Sequence, residues 1–316
     1  MKILITGGAG FIGYHVAHEL LMNNNKVYSI DNFLSGQKEN ILLLQKKFPK
    51  NFIFKEIDVL NFNDILSFLR ETKIDQIFHL ACPASPPIYQ RNPLNTLDIC
   101  YLGSKNMLEL AKLYNAKILL ASTSEVYGDP LVHPQTEDYK GNVNTFGIRA
   151  CYDEGKRAME TLGFIYLQMK VDVKIARIFN TYGPRMSSQD GRLLTNFIIQ
   201  GLKKQDLTVY GDGEQTRSLC YCTDLINGLI KLMNSNINFP INLGSQFELK
   251  VIDIAKLVIK LLNSNLKIVF NPLPADDPKQ RMPDISKAKT LLNWSPEVSL
   301  EDGISSMILD FKERFN

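Results

Sequence analysis

The run MKILITGGAGFIG, residues 1–13, narrows the possible folds more than any other stretch of this chain. KILIT (2–6) has the short, uniformly apolar pattern of a buried strand. From Phe11 to Met22 the pattern becomes helical, with Ile12, Val16 and Leu20 recurring every fourth residue and Ala17 and Leu21 beside them. Between the two lie Gly7, Gly10 and Gly13, spaced G-x-x-G-x-x-G. Glycines at such a junction permit a tight turn, a close backbone approach to a pyrophosphate and close helix–sheet packing. The unpaired N–H groups at the helix start then favour an anion. A glycine motif alone is a weak signal; in its strand–turn–helix context it predicts a dinucleotide site.

The rhythm continues. KVYSID (26–31), FIFKEID (52–58), DQIFHLA (75–81), KILLAST (117–123) and VKIARI (173–178) read as further strands. FNDILSFLRE (62–71) reads as a helix capped by Asn63 or Asp64, residues 99–114 as another, and about 150–170 as a long one. Six strands alternating with helices predict an α/β fold: a doubly wound parallel Rossmann sheet over residues 1–178. Beyond residue 179, turn-rich pieces such as NTYGPRM, YGDGEQT and NPLPADDPKQRMPD dominate, with helices expected near 193–203, 223–234, 251–263 and 300–314. Residues 179–316 are read as a smaller C-terminal substrate domain, with part of 241–263 packing back on the sheet. The length of 316 residues suits one large or two fused domains.

Composition excludes several classes. A net charge of +3 without a basic block argues against a nucleic-acid partner. No apolar run approaches a membrane span, and MKILITGG enters a strand without a basic region followed by an apolar stretch, so the expected location is cytoplasmic. Five scattered cysteines suit reduced thiols rather than a disulfide framework. With four histidines and none near Cys220 and Cys222, no metal site is expected.

Two further features carry chemistry. Asp31 ends the second strand, where a carboxylate accepts from the adenosine ribose and repels a 2′-phosphate, so the cofactor is expected to be NAD. STSE (122–125) leaves the fifth strand at the carboxyl edge of the sheet, and Tyr152 and Lys156 stand one helical turn apart at the start of the next helix. Tyr101–Lys105 and Tyr166–Lys170 have the same spacing, but only Tyr152 follows that strand into the crevice. Tyrosine is normally protonated at neutral pH. A lysine one turn away and an oxidised nicotinamide both favour the phenolate. Each charge at about 4 Å is worth roughly 4 kcal/mol at an effective dielectric of about 20. Lowering a pKa by about three units takes that much. Tyr152 can then take a hydroxyl proton, with Ser124 or Thr123 holding the oxygen, during oxidation of a secondary alcohol.

The glycine spacing resembles that of the extended short-chain dehydrogenase/reductase superfamily. That resemblance implies a cofactor held by Gly7, Gly10, Phe11, Ile12, Gly13, Asp31 and Asn32. Asp58 and Val59 would flank the adenine, and Leu80 and Ala81 would lie under the nicotinamide. HLACPASPPIYQRNP (79–93), LLASTSEVYGDP (119–130), RACYDEGKR (149–157), ARIFNTYGPRM (176–186) and DDPKQRMPDISKAK (276–289) go further. In order and across nearly the whole chain, they are similar to the UDP-glucuronic acid decarboxylases. The resemblance implies a redox-neutral reaction on UDP-glucuronate. Tyr152 would start oxidation at C4, carbon dioxide would leave the resulting β-keto acid, and reduction would yield UDP-xylose. It assigns Glu125 to proton handling and Arg217, in EQTRSLCY, to the carboxylate or the incoming proton. It assigns Asn180, Arg185, Arg192 and Arg281 to the nucleotide-sugar, and it implies a homodimer.

Sugar-nucleotide 4,6-dehydratases carry Asp-Glu where this chain has Ser124–Glu125, and a hydroxyl cannot replace the acid that drives water loss. A UDP-sugar 4-epimerase is the main alternative, and an NAD-sensing protein the non-enzymatic one. The chain departs from the decarboxylase pattern at Ile148 and in LDICYLGS (97–104), where Asp98 replaces a basic residue and Cys100 an asparagine.

Overall fold

The computed structural model describes residues 1–70, 72–272 and 280–315. Seven strands form one parallel sheet: β1 (Lys2–Thr6), β2 (Lys26–Asp31), β3 (Phe52–Glu56), β4 (Gln76–His79), β5 (Lys117–Thr123), β6 (Val173–Ile178) and β7 (Ile241–Leu243). Their order is β7-β6-β5-β4-β1-β2-β3. The order reverses at β1, which pairs with both β2 and β4. Connections leaving β1 and β4 therefore diverge to opposite faces and open a crevice at the carboxyl ends of the strands.

Both faces of the sheet are covered, which is why its central strands read as continuous apolar runs. One face packs Ile3, Ile5, Val16 and Leu20 with Leu225 and Leu229 of the helix Cys222–Asn234. The other packs Leu4, Ile77, Met107, Ile118 and Met159. The second half of the chain thus contributes a strand and a helix to the sheet layer. It also has a core of its own, around Phe197, Val209, Ile254, Met307 and Phe311. Short strand pairs shape this lobe, among them Thr216–Ser218 with Glu248–Lys250 and Thr181–Tyr182 with Cys220–Tyr221.

Local structure corrects three expectations. The helix expected over 99–114 begins earlier and is interrupted: Pro93–Asp98 is α-helical, Ile99–Gly103 makes a π turn and Ser104–Tyr114 resumes the α-helix. The helix in 62–71 spans Phe62–Leu69 and follows Asn61, so neither Asn63 nor Asp64 caps it; the N–H groups of Asp64 and Ile65 donate to the Asn61 carbonyl. It stops at Leu69 because Arg70 takes a positive φ of 45°. A helix at Lys38–Lys47 was not anticipated. Within NPLPADDPKQRMPD and DDPKQRMPDISKAK, positions 273–279 lie outside the described residues.

Candidate active site

The crevice at the β1/β4 divergence has the shape a dinucleotide needs. Gly7 sits at φ +74°, and a Cβ there would lie 2.8 Å from the Ala81 nitrogen, so no other residue fits between the two connections. Phe11 and Ile12 supply first-turn N–H groups of the helix Phe11–Met22, while their side chains pack into the surrounding cores. At the end of β2 the buried Asp31 carboxylate accepts from the N–H groups of Phe33 (2.7 Å) and Ala9 (3.0 Å). Burial raises its pKa, and these two hydrogen bonds oppose the shift. Asp58 accepts from the Asn32 amide (2.8 Å) and the Leu60 N–H (2.9 Å), which fixes the wall between them. Gly7, Gly10, Asp31, Asn32, Val59 and the Leu80–Ala81 pair line the cavity. A side-chain-free turn at a helix start, a carboxylate at the end of β2 and apolar walls fit NAD.

Tyr152, Lys156 and Thr123 meet at the carboxyl end of β5. The helix Ala150–Gln168 brings Lys156 beneath the strand, where its Nζ donates to the Ala121 carbonyl (2.8 Å) and lies 5.7 Å from the Tyr152 ring centre. Tyr152 stacks face to face on Tyr89, with ring centres 4.9 Å apart. Burial pushes the Tyr152 phenol well above its ordinary value, nearby Cys82 and Cys100 act the same way, and its hydrogen bond with Thr123 works against them. Burial thus opposes the phenolate, the form that a neighbouring ammonium and an oxidised nicotinamide would favour.

Beside this set lies an arginine-clamped carboxylate. Glu125 pairs with Arg149 (2.6 Å) on one oxygen and with Arg281 on the other. Arg281 also donates to the Gly128 carbonyl (2.8 Å) and the Ser124 hydroxyl (3.2 Å). Burial alone would raise the Glu125 pKa, but the charges of Arg281 and Arg149 hold it down at about 2. Asp153 behaves oppositely. It is buried, its Oδ1 has no hydrogen-bond partner among the described residues, and burial together with the Glu125 charge lifts it to about 7 against Arg149 and Arg281. Glu125, Arg149, Asp153 and Arg281 share a cavity of about 220 Å³.

Of the remaining expected residues, Arg192 is placed where its charge is felt at Tyr152, and it pairs with Asp190. Asn180 follows β6, its carbonyl accepting from Cys220 N–H (2.9 Å). Arg185 is bonded to Asn40 (2.8 Å), whose amide donates to the Ala9 carbonyl of the glycine turn (3.0 Å), and lies 3.9 Å from Asp310 and over the Tyr14 ring. Arg217 is on Thr216–Ser218 with Nη1 donating to the Thr216 carbonyl (2.8 Å); among the described residues, Arg149 and Arg281 pair with Glu125. Sequence reasoning missed Tyr89, Arg149 and Asp153. Two of these stand inside RACYDEGKR, where Arg149 and Asp153 are one helical turn apart. Asp98 is exposed and Cys100 buried.

Sheet order, glycine turn and Tyr–Lys–Thr set define a Rossmann enzyme of the epimerase/dehydratase class, and residues 4–307 match the family model described as GDP-mannose 4,6 dehydratase. A UDP-glucose 4-epimerase from Thermotoga maritima, solved with UDP-glucose, has this fold at a TM-score of 0.91 and 28% identity, covering 100% of both chains. A UDP-glucuronic acid 4-epimerase from Bacillus cereus, solved with UDP-glucuronic acid and NAD, gives 0.88 and 30% over 99% of this chain and 100% of that one. Within the class, the chain belongs to the UDP-glucuronic acid decarboxylase family. It is 50% identical to UDP-glucuronic acid decarboxylase 1 of Xenopus tropicalis over 99% of this chain and 72% of that protein. It is 49% identical to UDP-glucuronic acid decarboxylase 6 of Arabidopsis thaliana over 99% of this chain and 90% of that one.

Proposed function

We propose that this protein converts UDP-glucuronate to UDP-xylose and carbon dioxide with NAD as a bound, recycled cofactor. The observation that carries the reading is the Tyr152–Lys156–Thr123 set beside the arginine-clamped Glu125, in a chain about half identical to UDP-glucuronic acid decarboxylases. Gly7, Gly10, Gly13, Asp31 and Asn32, with Asp58, Val59, Leu80 and Ala81, would hold NAD, which would supply a hydride acceptor able to return the hydride.

The chain's own residues do the rest. Tyr152 removes the C4 hydroxyl proton, Thr123 holds that oxygen, and Lys156 stands 5.7 Å from the Tyr152 ring centre. The sugar is then a β-keto acid, whose carboxylate leaves as carbon dioxide while the electrons pass to the C4 oxygen as an enolate. Arg281 and Arg149 hold Glu125 ionised, and Arg281 orients Ser124, so fixed dipoles and charges surround the place where negative charge develops. Asp153, held protonated up to about neutral pH, is the acid in this cavity with a proton to give. Arg192 and Asn180 would bind the nucleotide-sugar. In this reading residues 1–178 hold the cofactor and 179–316 the nucleotide-sugar. The protein would work as a cytoplasmic homodimer, a state that light scattering on the purified chain would test. No described helix is long and apolar enough to cross a membrane.

The test is product analysis by NMR after incubation with UDP-glucuronate and NAD. UDP-xylose and carbon dioxide without net NADH are expected. UDP-galacturonate would instead support a 4-epimerase, the second reading favoured by the 30% likeness to the Bacillus cereus enzyme. NAD binding with no turnover would leave the sensing alternative.

A further inference from the structure

Two cysteines that take no part in this chemistry stand under it. Cys82 lies in the connection after β4, two residues beyond Leu80 in the wall of the cofactor crevice. Cys100 lies in the π turn Ile99–Gly103, 1% exposed. Their sulfur atoms are 3.3 Å apart. Cys100 also presses on the catalytic helix: a Cβ at Gly155 would lie 2.9 Å from the Cys100 Cβ. Gly155 stands between Tyr152 and Lys156 in the sequence, so any movement of Cys100 is felt between the two catalytic side chains.

We propose that Cys82 and Cys100 form a thiol modification site, closed to a disulfide by a hydroperoxide. Cys82 is the attacking sulfur because it faces the crevice. Its sulfur attacks one peroxide oxygen: an S–O bond forms, the O–O bond breaks, and the other oxygen leaves as water or alcohol after taking a proton. The Cys100 sulfur then attacks the sulfenic sulfur, forming the S–S bond and releasing water. Two thiols are oxidised by two electrons in all, and one peroxide is reduced. The surroundings suit these roles. Burial would raise the Cys82 thiol, but the hydrogen bond from Cys100 and the Lys156 ammonium lower it to about 7, while Cys100 is raised and keeps its proton. The thiolate is the reactive form.

Closing the gap from 3.3 Å to a bonded distance of about 2.05 Å requires roughly 1.3 Å of approach by the two sulfur atoms. It also removes the thiolate that faces Lys156. One segment continues from the crevice wall and the other rests on Gly155, so a shift that accompanies the bond reaches the crevice wall or the Tyr152–Lys156 helix. A displacement of about 1 Å at a reacting centre costs on the order of 100-fold in rate. This effect on turnover rests on the decarboxylase reading; the disulfide itself does not.

The full chain should be treated with hydrogen peroxide, quenched with an alkylating agent, and analysed both by peptide mass and by UDP-glucuronate turnover. The expected result is a linked peptide pair containing Cys82 and Cys100, lighter by two hydrogens. With it comes a loss of turnover on the order of 100-fold, restored by dithiothreitol. Cys100→Ser should form no linked peptide and should stop at a Cys82 sulfenic acid that dimedone labels, and Cys100→Asn serves the same purpose should the serine variant fold poorly. Alkylation of both thiols after oxidation, or linkage of Cys82 to Cys151, would overturn the site. So would a Cys100→Ser protein in which dimedone labels no cysteine. A protein that never turns over UDP-glucuronate yet forms the linked peptide would overturn the functional reading and leave the disulfide standing.

Discussion

Tyr152 is 5% exposed, and that burial decides how it can work. Burial opposes the phenolate, so every cation near the ring counts toward its strength as a base. Tyr152→Phe should lower the decarboxylation rate by about 10²–10⁴-fold, read by NMR product formation, while circular dichroism stays that of the parent. Asp153 supplies a pH prediction whose sign follows from its surroundings. Its pKa rises from 3.8 in an ordinary setting to about 7 in the fold. The native state therefore holds a proton that the unfolded chain has released across that window, and the stabilisation is lost as pH rises through about 7. Asn cannot ionise, so Asp153→Asn should melt higher than the parent above neutral pH, with the gap closing below about pH 4. Thermal melts across pH check this. Glu125 runs the other way: held at about 2 rather than 4.5, it stabilises above about 4.5 and loses that contribution as pH falls through 2.

Among the elements, β1, β2, β5, β6 and the helix Phe11–Met22 have the bounds their sequence patterns predict, because each is a short apolar or four-residue-period run closed by turn residues. The helix Lys38–Lys47 escaped notice because its apolar residues, Ile41 to Leu44, form one block without a helical period. The π turn at Ile99–Gly103 has no sequence signature at all; it is set by the fit of Cys100 against Gly155 and of Gly103 against Val59. Gly155→Val should displace that contact and destabilise by about 1–3 kcal/mol, the usual cost of overfilling a packed site, measured by urea unfolding. Gly7→Ala, at positive φ and 2.8 Å from Ala81, should abolish NAD binding in calorimetry, since the two connections it separates would have to part.

For the whole molecule, the decisive contact joins the two halves. Arg281 reaches Ser124 across 157 positions of sequence and meets the Glu125 carboxylate, while Asn242 of β7 accepts from the Tyr127 hydroxyl (2.7 Å). Arg281→Met should raise the Glu125 pKa, moving the acidic limb of the rate–pH profile upward, and lower the melting temperature, because a buried carboxylate loses one of two cations. The Rossmann sheet, the glycine turn, the Asp31 carboxylate and the Tyr152–Lys156 pair are legible in the residues alone. These depend on periods and spacings within some thirty residues of chain, which the backbone reads locally. That Arg149 and Arg281 meet Glu125, that burial raises Asp153 while those arginines lower Glu125, and that Cys82 and Cys100 touch all come from the assembled fold. Charge balance and burial belong to groups brought together from distant segments, and a pKa is a property of that assembled surrounding, which no local pattern encodes.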